Sequence, residues 1–312
     1  MPTFLEIIQK QVCDRLGLVR PSTVTATDLQ TRQLVECAND TGDELMKEVD
    51  WTDLQTEYVI EYGAPTELAG DTTAGSRVVS GISDTSGLAA NVWSVTGNGV
   101  QQSTRIASVD SATQITLTQE VDETQSAATL TFIKDTFDLP SDFDRYIDQT
   151  QWDRRYQWRM IGPQSPQEDQ FQLSGVVTTG PRRKFRQIGR GASSFRIWPP
   201  PSASSDYPGT LVWEYISNQW VNKADSTFAS FLTADDDEVI FPDRLLSLGI
   251  RWRFWAVKGF TYADMQAEYM DRLQTEKARR GGQRPICLSR KQRSRSYLIG
   301  SDQVQDGNFP SS

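Results

Sequence analysis

One run of the chain carries four adjacent carboxylates, the groups on which much acid–base catalysis depends. The run is Asp235-Asp236-Asp237-Glu238, and it lies shortly before Pro242. Paired carboxylates about 5 to 9 Å apart can cleave glycosidic bonds. Adjacent residues in a run usually point apart into solvent, and acidic residues before a helix compensate its dipole. We therefore expect this run to be solvated and structural, without a catalytic or metal-binding role.

Residues that common enzyme mechanisms require are missing. The chain has no histidine, which excludes histidine-based triads and dyads and most zinc enzymes. Cys13, Cys37 and Cys287 lie far apart with no CxxC pair, so they predict neither a metal site nor a disulfide framework. Gly189-Arg190-Gly191 lacks the Lys-Ser/Thr of a phosphate loop and predicts a turn. We expect no catalytic residue, cofactor or metal.

A strongly basic stretch lies near the C-terminus of the chain. The chain as a whole has a net charge of −9, yet the stretch from residue 279 to 295 contains no acidic residue. A solvated end, docking into an acidic groove of a partner, and contact with nucleic acid are all open interpretations. The basic residues are Arg279, Arg280, Arg284, Arg290, Lys291, Arg293 and Arg295.

Arginine alternates with aromatic residues in the segment Arg251-Trp252-Arg253-Phe254-Trp255. On a helix, Trp252 and Trp255 share one side. An amphipathic core helix explains the pattern, and a subunit interface is the alternative, because Trp and Tyr are common interface anchors. Under the second interpretation, Tyr262 and Tyr269 of the following helix belong to the same interface.

Amphipathic helices are predicted at both ends of the chain. The first spans residues 2–17 and ends at Gly17, and the second runs from a Thr27 cap to Val49. Near the other end, a helix over Arg244–Gly259 follows Pro242, and another begins at a Thr261 cap. The apolar stripes are Leu5, Ile8, Val12 and Leu16; Leu34, Ala38, Thr41, Leu45 and Val49; and Tyr262, Met265, Tyr269 and Leu273.

Residues 70–133 have a different composition, rich in Gly, Ser, Thr and Val. Short β-branched runs recur about every ten residues, punctuated by Gly, Asn and Asp, which predicts a small antiparallel β-barrel or sandwich. Thr56–Tyr62 before it should meet a strand at Phe137–Pro140 after it. Phe195–Trp198 should pair with Leu211–Ile216, and a short helix is expected at Gln164–Leu173.

The fold class is therefore α+β, with an inserted β domain. We expect residues 1–69 and 134–282 to form a body that combines a helical bundle with β hairpins. Residues 70–133 form the insertion, and residues 283–312 form a basic tail. No apolar run reaches the length of a membrane span and no signal peptide is evident, so we expect a soluble protein made in the cytoplasm.

Four segments carry a resemblance to a known family: the N-terminal helical hairpin, Asp50-Trp51, Leu139-Pro140-Ser141-Asp142-Phe143 and the closing helix pair. They resemble head-to-tail adaptor proteins of short-tailed bacteriophages, also called connector or tail tubular proteins. The insertion resembles a module of phage tail and connector proteins, and departs from it at Asn91, where Gly is expected. Its matching segments are Val78-Val79-Ser80-Gly81-Ile82, Gly87-Leu88 and Thr113-Gln114-Ile115-Thr116-Leu117.

The resemblance implies a twelve-fold ring in the neck of the virion, beneath the portal protein and above the tail nozzle. Such a ring retains the packaged genome and conducts it during ejection. The basic tail would then bind the portal or a neighbouring subunit, or touch the packaged double-stranded DNA. The acidic remainder would repel that DNA from the channel wall. The chain would be synthesised in the host cytoplasm and would not insert into a membrane.

Two functions of other classes remain as alternatives. A tail-associated peptidoglycan hydrolase requires two carboxylates whose replacement abolishes lysis while assembly persists. A receptor-binding or decoration protein would use the β insertion as its adhesive head, so deletion of residues 71–133 would abolish adhesion. Under the adaptor interpretation, the same deletion leaves the joining of head and tail mostly intact.

Overall fold

The computed structural model describes residues 2–175, 182–189, 193–204 and 207–280. The described chain divides into two compact units. We call residues 2–56, 142–146 and 215–280 the helical unit. We call the described residues of 57–141 and 147–214 the β unit. The mixture of helices and antiparallel strands confirms the α+β class.

Helices supply most of the helical unit, and one short helix lies in the β unit. Helix α1 is one continuous segment made of Phe4–Glu6, the π-helical Ile7–Cys13 and Asp14–Leu16. A 3₁₀ turn, Thr52–Leu54, precedes the first strand. The other helices are α2 (Leu29–Glu48), α3 (Pro166–Ser174), α4 (Asp243–Lys258) and α5 (Ala263–Arg280).

The π-helical stretch changes the buried face of α1. Its wider turn moves later side chains around the helix axis, which a 3.6-residue period does not anticipate. Cys13, at the end of this stretch, is therefore buried with the predicted Ile8 and Val12, and Phe4 before it and Ile7 at its start are buried as well. The other two predicted stripe residues, Leu5 and Leu16, are only half-buried.

Helix α2 follows its predicted pattern closely. Asp28 is its N-cap, accepting a hydrogen bond from the Thr31 amide at 2.9 Å, one residue after the predicted cap. All five residues of the predicted stripe are buried. Gly249 of α4 lies so close to α2 that a Cβ atom there would overlap the Thr41 methyl group. Glycine thus allows these two helices to pack tightly.

The C-terminal helices begin and end close to their predicted limits. Pro242 is the N-cap of α4, and Gly259 ends the helix in the left-handed region at φ 75°. Tyr262 takes the N-cap position of α5, because its carbonyl accepts the Gln266 amide at 2.9 Å. The predicted Thr261 cap is therefore one residue early.

The strands form several small antiparallel sheets. They are β1 (Gln55–Tyr62), β2 (Thr66–Thr72), β3 (Val78–Val79), β4 (Trp93–Gly97), β5 (Ile106–Ser111), β6 (Gln114–Leu117), β7 (Gln125–Lys134), β8 (Thr136–Asp138), β9 (Phe143–Tyr146), β10 (Trp152–Asp153), β11 (Trp158–Arg159), β12 (Lys184–Ile188), β13 (Ser194–Trp198), β14 (Gly209–Ser217), β15 (Val221–Asn222), β16 (Phe228–Ala229) and β17 (Glu238–Val239).

The insertion consists of two three-stranded sheets, β2-β7-β4 and β3-β6-β5. Isolated bridges, Asp71↔Ser80 and Ser94↔Arg105, link the edges of the two sheets, but the strands of residues 66–134 form no continuous closed barrel. Strands β2 and β7 pair from Thr66↔Phe132 onward. One apolar core fills it, made of Val79, Ile82, Val95, Ile106, Ile115, Leu117, Val121, Leu130 and Phe132.

Two predicted strand pairings are wrong. Strand β1 lies next to β14, and β8 pairs with β13, so the strands that flank the insertion do not pair with each other. Strand β13 pairs with β12 and β8 and not with β14. Alternating polarity locates a strand, but its partner depends on contacts distant in sequence.

Candidate functional site

The end of α5 carries the first two residues of the predicted basic cluster. The Arg280 guanidinium lies 4.4 Å from the centre of the Trp51 ring and donates to Asp53 Oδ2 at 3.3 Å. One turn earlier, Lys277 pairs with Glu48 at the end of α2. Arg280 therefore holds the end of α5 against Trp51 and Asp53, while Arg279 pairs with Glu276 and stays exposed. The remaining predicted residues, Arg284, Arg290, Lys291, Arg293 and Arg295, lie outside the described residues.

Arg253 organises the packing between α2 and the C-terminal helices. It donates to Thr41 Oγ1 at 2.8 Å and pairs with Glu44 of α2. Its guanidinium carbon also lies 4.6 Å from the Trp252 ring centre and 5.8 Å from that of Tyr269. This arginine satisfies two hydrogen-bond acceptors and two aromatic faces at once.

Tyr269 is fully buried, and burial raises the pKa of its phenol. A ring with no exposed surface cannot contact a neighbouring subunit, so the interface expected for Tyr269 is corrected to a role in the core. The interface assignments of Trp252, Trp255 and Tyr262 stay predictions.

Those residues border an exposed apolar surface at the turn from α4 to α5. Trp255 and Phe260 have ring centres 5.5 Å apart, and Trp252 and Tyr262 have ring centres 6.1 Å apart. Phe260 is 60% exposed, and Val257 beside it is equally open. We call Trp255, Val257, Phe260 and Tyr262 the aromatic ledge. Exposed apolar patches are typical of interaction sites, and the assignment of this one to a subunit interface stays a prediction.

The acidic run is less solvated than expected. Asp237 is buried, and its Oδ2 accepts from Lys223 Nζ and from the Thr233 and Ala234 amides at 2.7, 2.7 and 2.9 Å. Asp235 accepts from the Val24 amide at 2.6 Å. Asp236 is the exposed member of the run.

The run ends at Glu238, before the Pro242 N-cap of α4, and the acidic residue in the first turn of that helix is Asp243. Asp235 and Asp237 organise two loops, because their oxygens accept from backbone amides that no strand or helix bonds.

The β unit contains buried ion pairs that the sequence did not reveal. Arg105 of the insertion pairs with the buried Asp135 at 2.6 Å, and burial raises the pKa of that carboxyl. Asp169 of α3 receives both Arg186 and Arg196, and Asp153 pairs with Arg183. Each pair joins residues far apart in sequence, so no local sequence pattern predicts it.

The described residues meet the requirements of neither a three-ligand metal site nor a membrane-spanning helix. They contain no group of three or more carboxylates or cysteines that could hold a metal ion. None of the described helices is long and apolar enough to cross a membrane. Cys13 and Cys37 are free and buried, and desolvation raises the pKa of each thiol to about 11. Gly189 has φ 90°, as a turn requires, but Arg190, Gly191 and Cys287 lie outside the described residues.

Aromatic residues such as those of the aromatic ledge are enriched at protein–protein interfaces. A family model described as "SU10 adaptor protein" matches residues 109–298, which is more than half of the chain. The chain therefore belongs to the SU10 adaptor protein family. It is a phage adaptor, a structural component of the virion. No curated protein matches the chain.

Proposed function

We propose that the chain is a head-to-tail adaptor and that twelve copies form a ring between the portal protein and the tail nozzle. Membership of the adaptor family supports this proposal, and the aromatic ledge is the observation that carries it. A cyclic ring needs two different faces on each subunit that complement each other. The ledge supplies one such face, with the aromatic anchors that interfaces concentrate.

The ring retains the genome and conducts it during ejection, and the subunit has no catalytic centre of its own. Its excess of acidic residues suits a channel wall, because a negative surface repels the phosphate backbone of DNA. Asp235 and Asp237 are held by structural hydrogen bonds, which speaks against the acidic run as the acid–base pair of a hydrolase.

We further propose that the portal ring templates assembly. A permanent ring buries on the order of 2,000 Å² per interface. If some segments become ordered only on docking, the free energy gained by burying this interface is available only when the portal is present. Light scattering after size-exclusion chromatography, with and without purified portal, tests the idea. We expect a monomer alone and a ring on the portal, and a stable ring without portal would refute templating.

A substitution on the ledge separates assembly from folding. In Phe260→Ser, the side chain that is lost is mostly exposed, so the free energy of unfolding should change by less than about 0.5 kcal/mol. Binding to the portal as a ring should nevertheless fall at least about tenfold. Phe171→Ser, at a comparably exposed position in the β unit, is the matched control. Equal assembly of both variants would contradict the role of the ledge.

A further inference from the structure

Helix α2 presents a row of like charges along one face, because its acidic residues recur at every fourth position. Like charges four residues apart destabilise a helix. Two members of the row are neutralised by cations of the C-terminal helices, Glu44 by Arg253 and Glu48 by Lys277. In the part of the chain that the structure describes, the other two have no cationic partner. These are Glu36 and Asp40.

The two unpaired carboxylates line a groove of about 550 Å³ between α2 and the loop that follows β16. Val35 and Leu232 form its apolar floor, and Phe231 stands 61% exposed at its edge. The loop is held firmly, since Asn39 Oδ1 accepts the Leu232 amide at 2.8 Å. Phe231 is therefore kept in solvent by a well-bonded loop, and the groove combines an acidic side with an exposed aromatic ring.

The chain leaves the described structure within reach of this groove. Arg280, the last residue of α5, lies against Trp51 and Asp53, just beyond the end of α2. From Glu48 back to Asp40 is about 12 Å along the helix. The residues from Gly281 to Cys287 can span about 20 Å when extended. Gly281-Gly282 comes first in this segment, and glycine readily allows the chain to reverse.

The sequence beyond the glycines complements the groove. It first supplies Ile286 and Leu288, and then a basic stretch with no acidic residue before Asp302. The cations are Arg284, Arg290, Lys291, Arg293 and Arg295.

We propose that residues 284–295 fold back and occupy the α2 groove of their own subunit. The cations pair with Glu36 and Asp40, and the apolar residues cover Phe231. Attachment to the same chain gives this segment a high effective concentration, so even a weak site is filled. The proposal concerns a single subunit and does not depend on ring formation.

Disulfide trapping in the full chain tests the proposal, using the native Cys287. Val35→Cys places a thiol in the groove and keeps both carboxylates. Cys13 and Cys37 are buried with thiol pKa values of about 11, so they compete poorly under mild oxidation at about pH 8. Ala267→Cys is the matched control, because it is exposed and lies as far before Arg280 as Val35 lies before Glu48.

We expect the intrachain disulfide to form at least about tenfold faster in Val35→Cys than in Ala267→Cys. Adding Glu36→Gln and Asp40→Asn to Val35→Cys should reduce its rate to that of the control, since the charges that hold the segment are removed. Equal rates in the two single variants would overturn the proposal. Predominantly interchain disulfides would also overturn it, because they would place the segment in the groove of a second copy.

Discussion

The two units differ in how deeply their ion pairs are buried. In the β unit, arginines reach buried aspartates on other elements, as Arg105 reaches Asp135. In the helical unit, most pairs between helices are partly exposed, as between Lys277 and Glu48, and Asp237 is the buried exception. Removal of one partner from a buried pair leaves an uncompensated buried charge, which is strongly destabilising. Exposed pairs contribute little to the free energy of unfolding. The β unit is therefore the more sensitive to loss of one charge, and the helical unit to loss of close packing.

Removal of Arg105 should give the largest effect. Arg105→Met leaves Asp135 buried without its cation, which should lower the free energy of unfolding by about 3–5 kcal/mol. Burial already raises the pKa of Asp135, and loss of the arginine raises it further. A group with a raised folded-state pKa stabilises the fold below its unfolded pKa and loses that contribution as pH rises.

The penalty of Arg105→Met should therefore be greatest at neutral pH and shrink toward about pH 4. Urea unfolding across this pH range measures it. Arg77→Met is the control, because its pair with Glu120 is exposed and 3.9 Å long, so the expected change is under about 0.5 kcal/mol. Similar losses in the two variants would remove the contrast between buried and exposed pairs.

Close packing between helices should give the next largest effect. Gly249→Ala places a methyl group against Thr41, and overpacking of this kind costs about 1–3 kcal/mol. Thr41→Ser removes the methyl that obstructs it and keeps the hydroxyl that Arg253 uses, so the double variant should regain much of the loss. Thermal unfolding of both variants measures this coupling, and the absence of rescue would show that the helices do not meet here.

Loss of the contacts that Arg280 of α5 makes with Trp51 and Asp53 should give the smallest effect. Arg280→Ala removes a cation–π contact and a partly exposed ion pair, together worth about 0.5–1 kcal/mol. Arg279→Ala, whose pair with Glu276 is more exposed, should change stability hardly at all. Urea unfolding of both variants, followed by the fluorescence of the chain's nine tryptophans, measures the two changes. A larger loss in Arg279→Ala than in Arg280→Ala would contradict the assignment.

The features that the sequence predicted correctly are those that depend on residues close together along the chain. The stripe of α2 and the ends of α4 follow from periodicity and caps, and these predictions hold. The partners of β1 and β13 could not be predicted, because pairing is decided by residues far away in sequence. The π-helical turn in α1 and the burial of Asp237 were not predicted for a similar reason, because tertiary contacts overrode the local sequence signal.

The candidate sites divide in the same way. Aromatic residues near the α4–α5 turn could be recognised from composition, yet sequence alone placed buried Tyr269 and exposed Tyr262 in one group. The ion pair between Arg105 and Asp135 and the groove beside Phe231 join segments that have no sequence relation. Neither could be predicted before the fold was known.

Imaging the neck of the virion tests the central claim most directly. Cryo-electron microscopy of the particle, with the chain carrying a small C-terminal tag, would locate each copy. We expect twelve copies in one ring between portal and nozzle, with the aromatic ledge against the adjacent subunit. A particle in which this chain lies elsewhere, or in which head and tail join without it, would contradict the account.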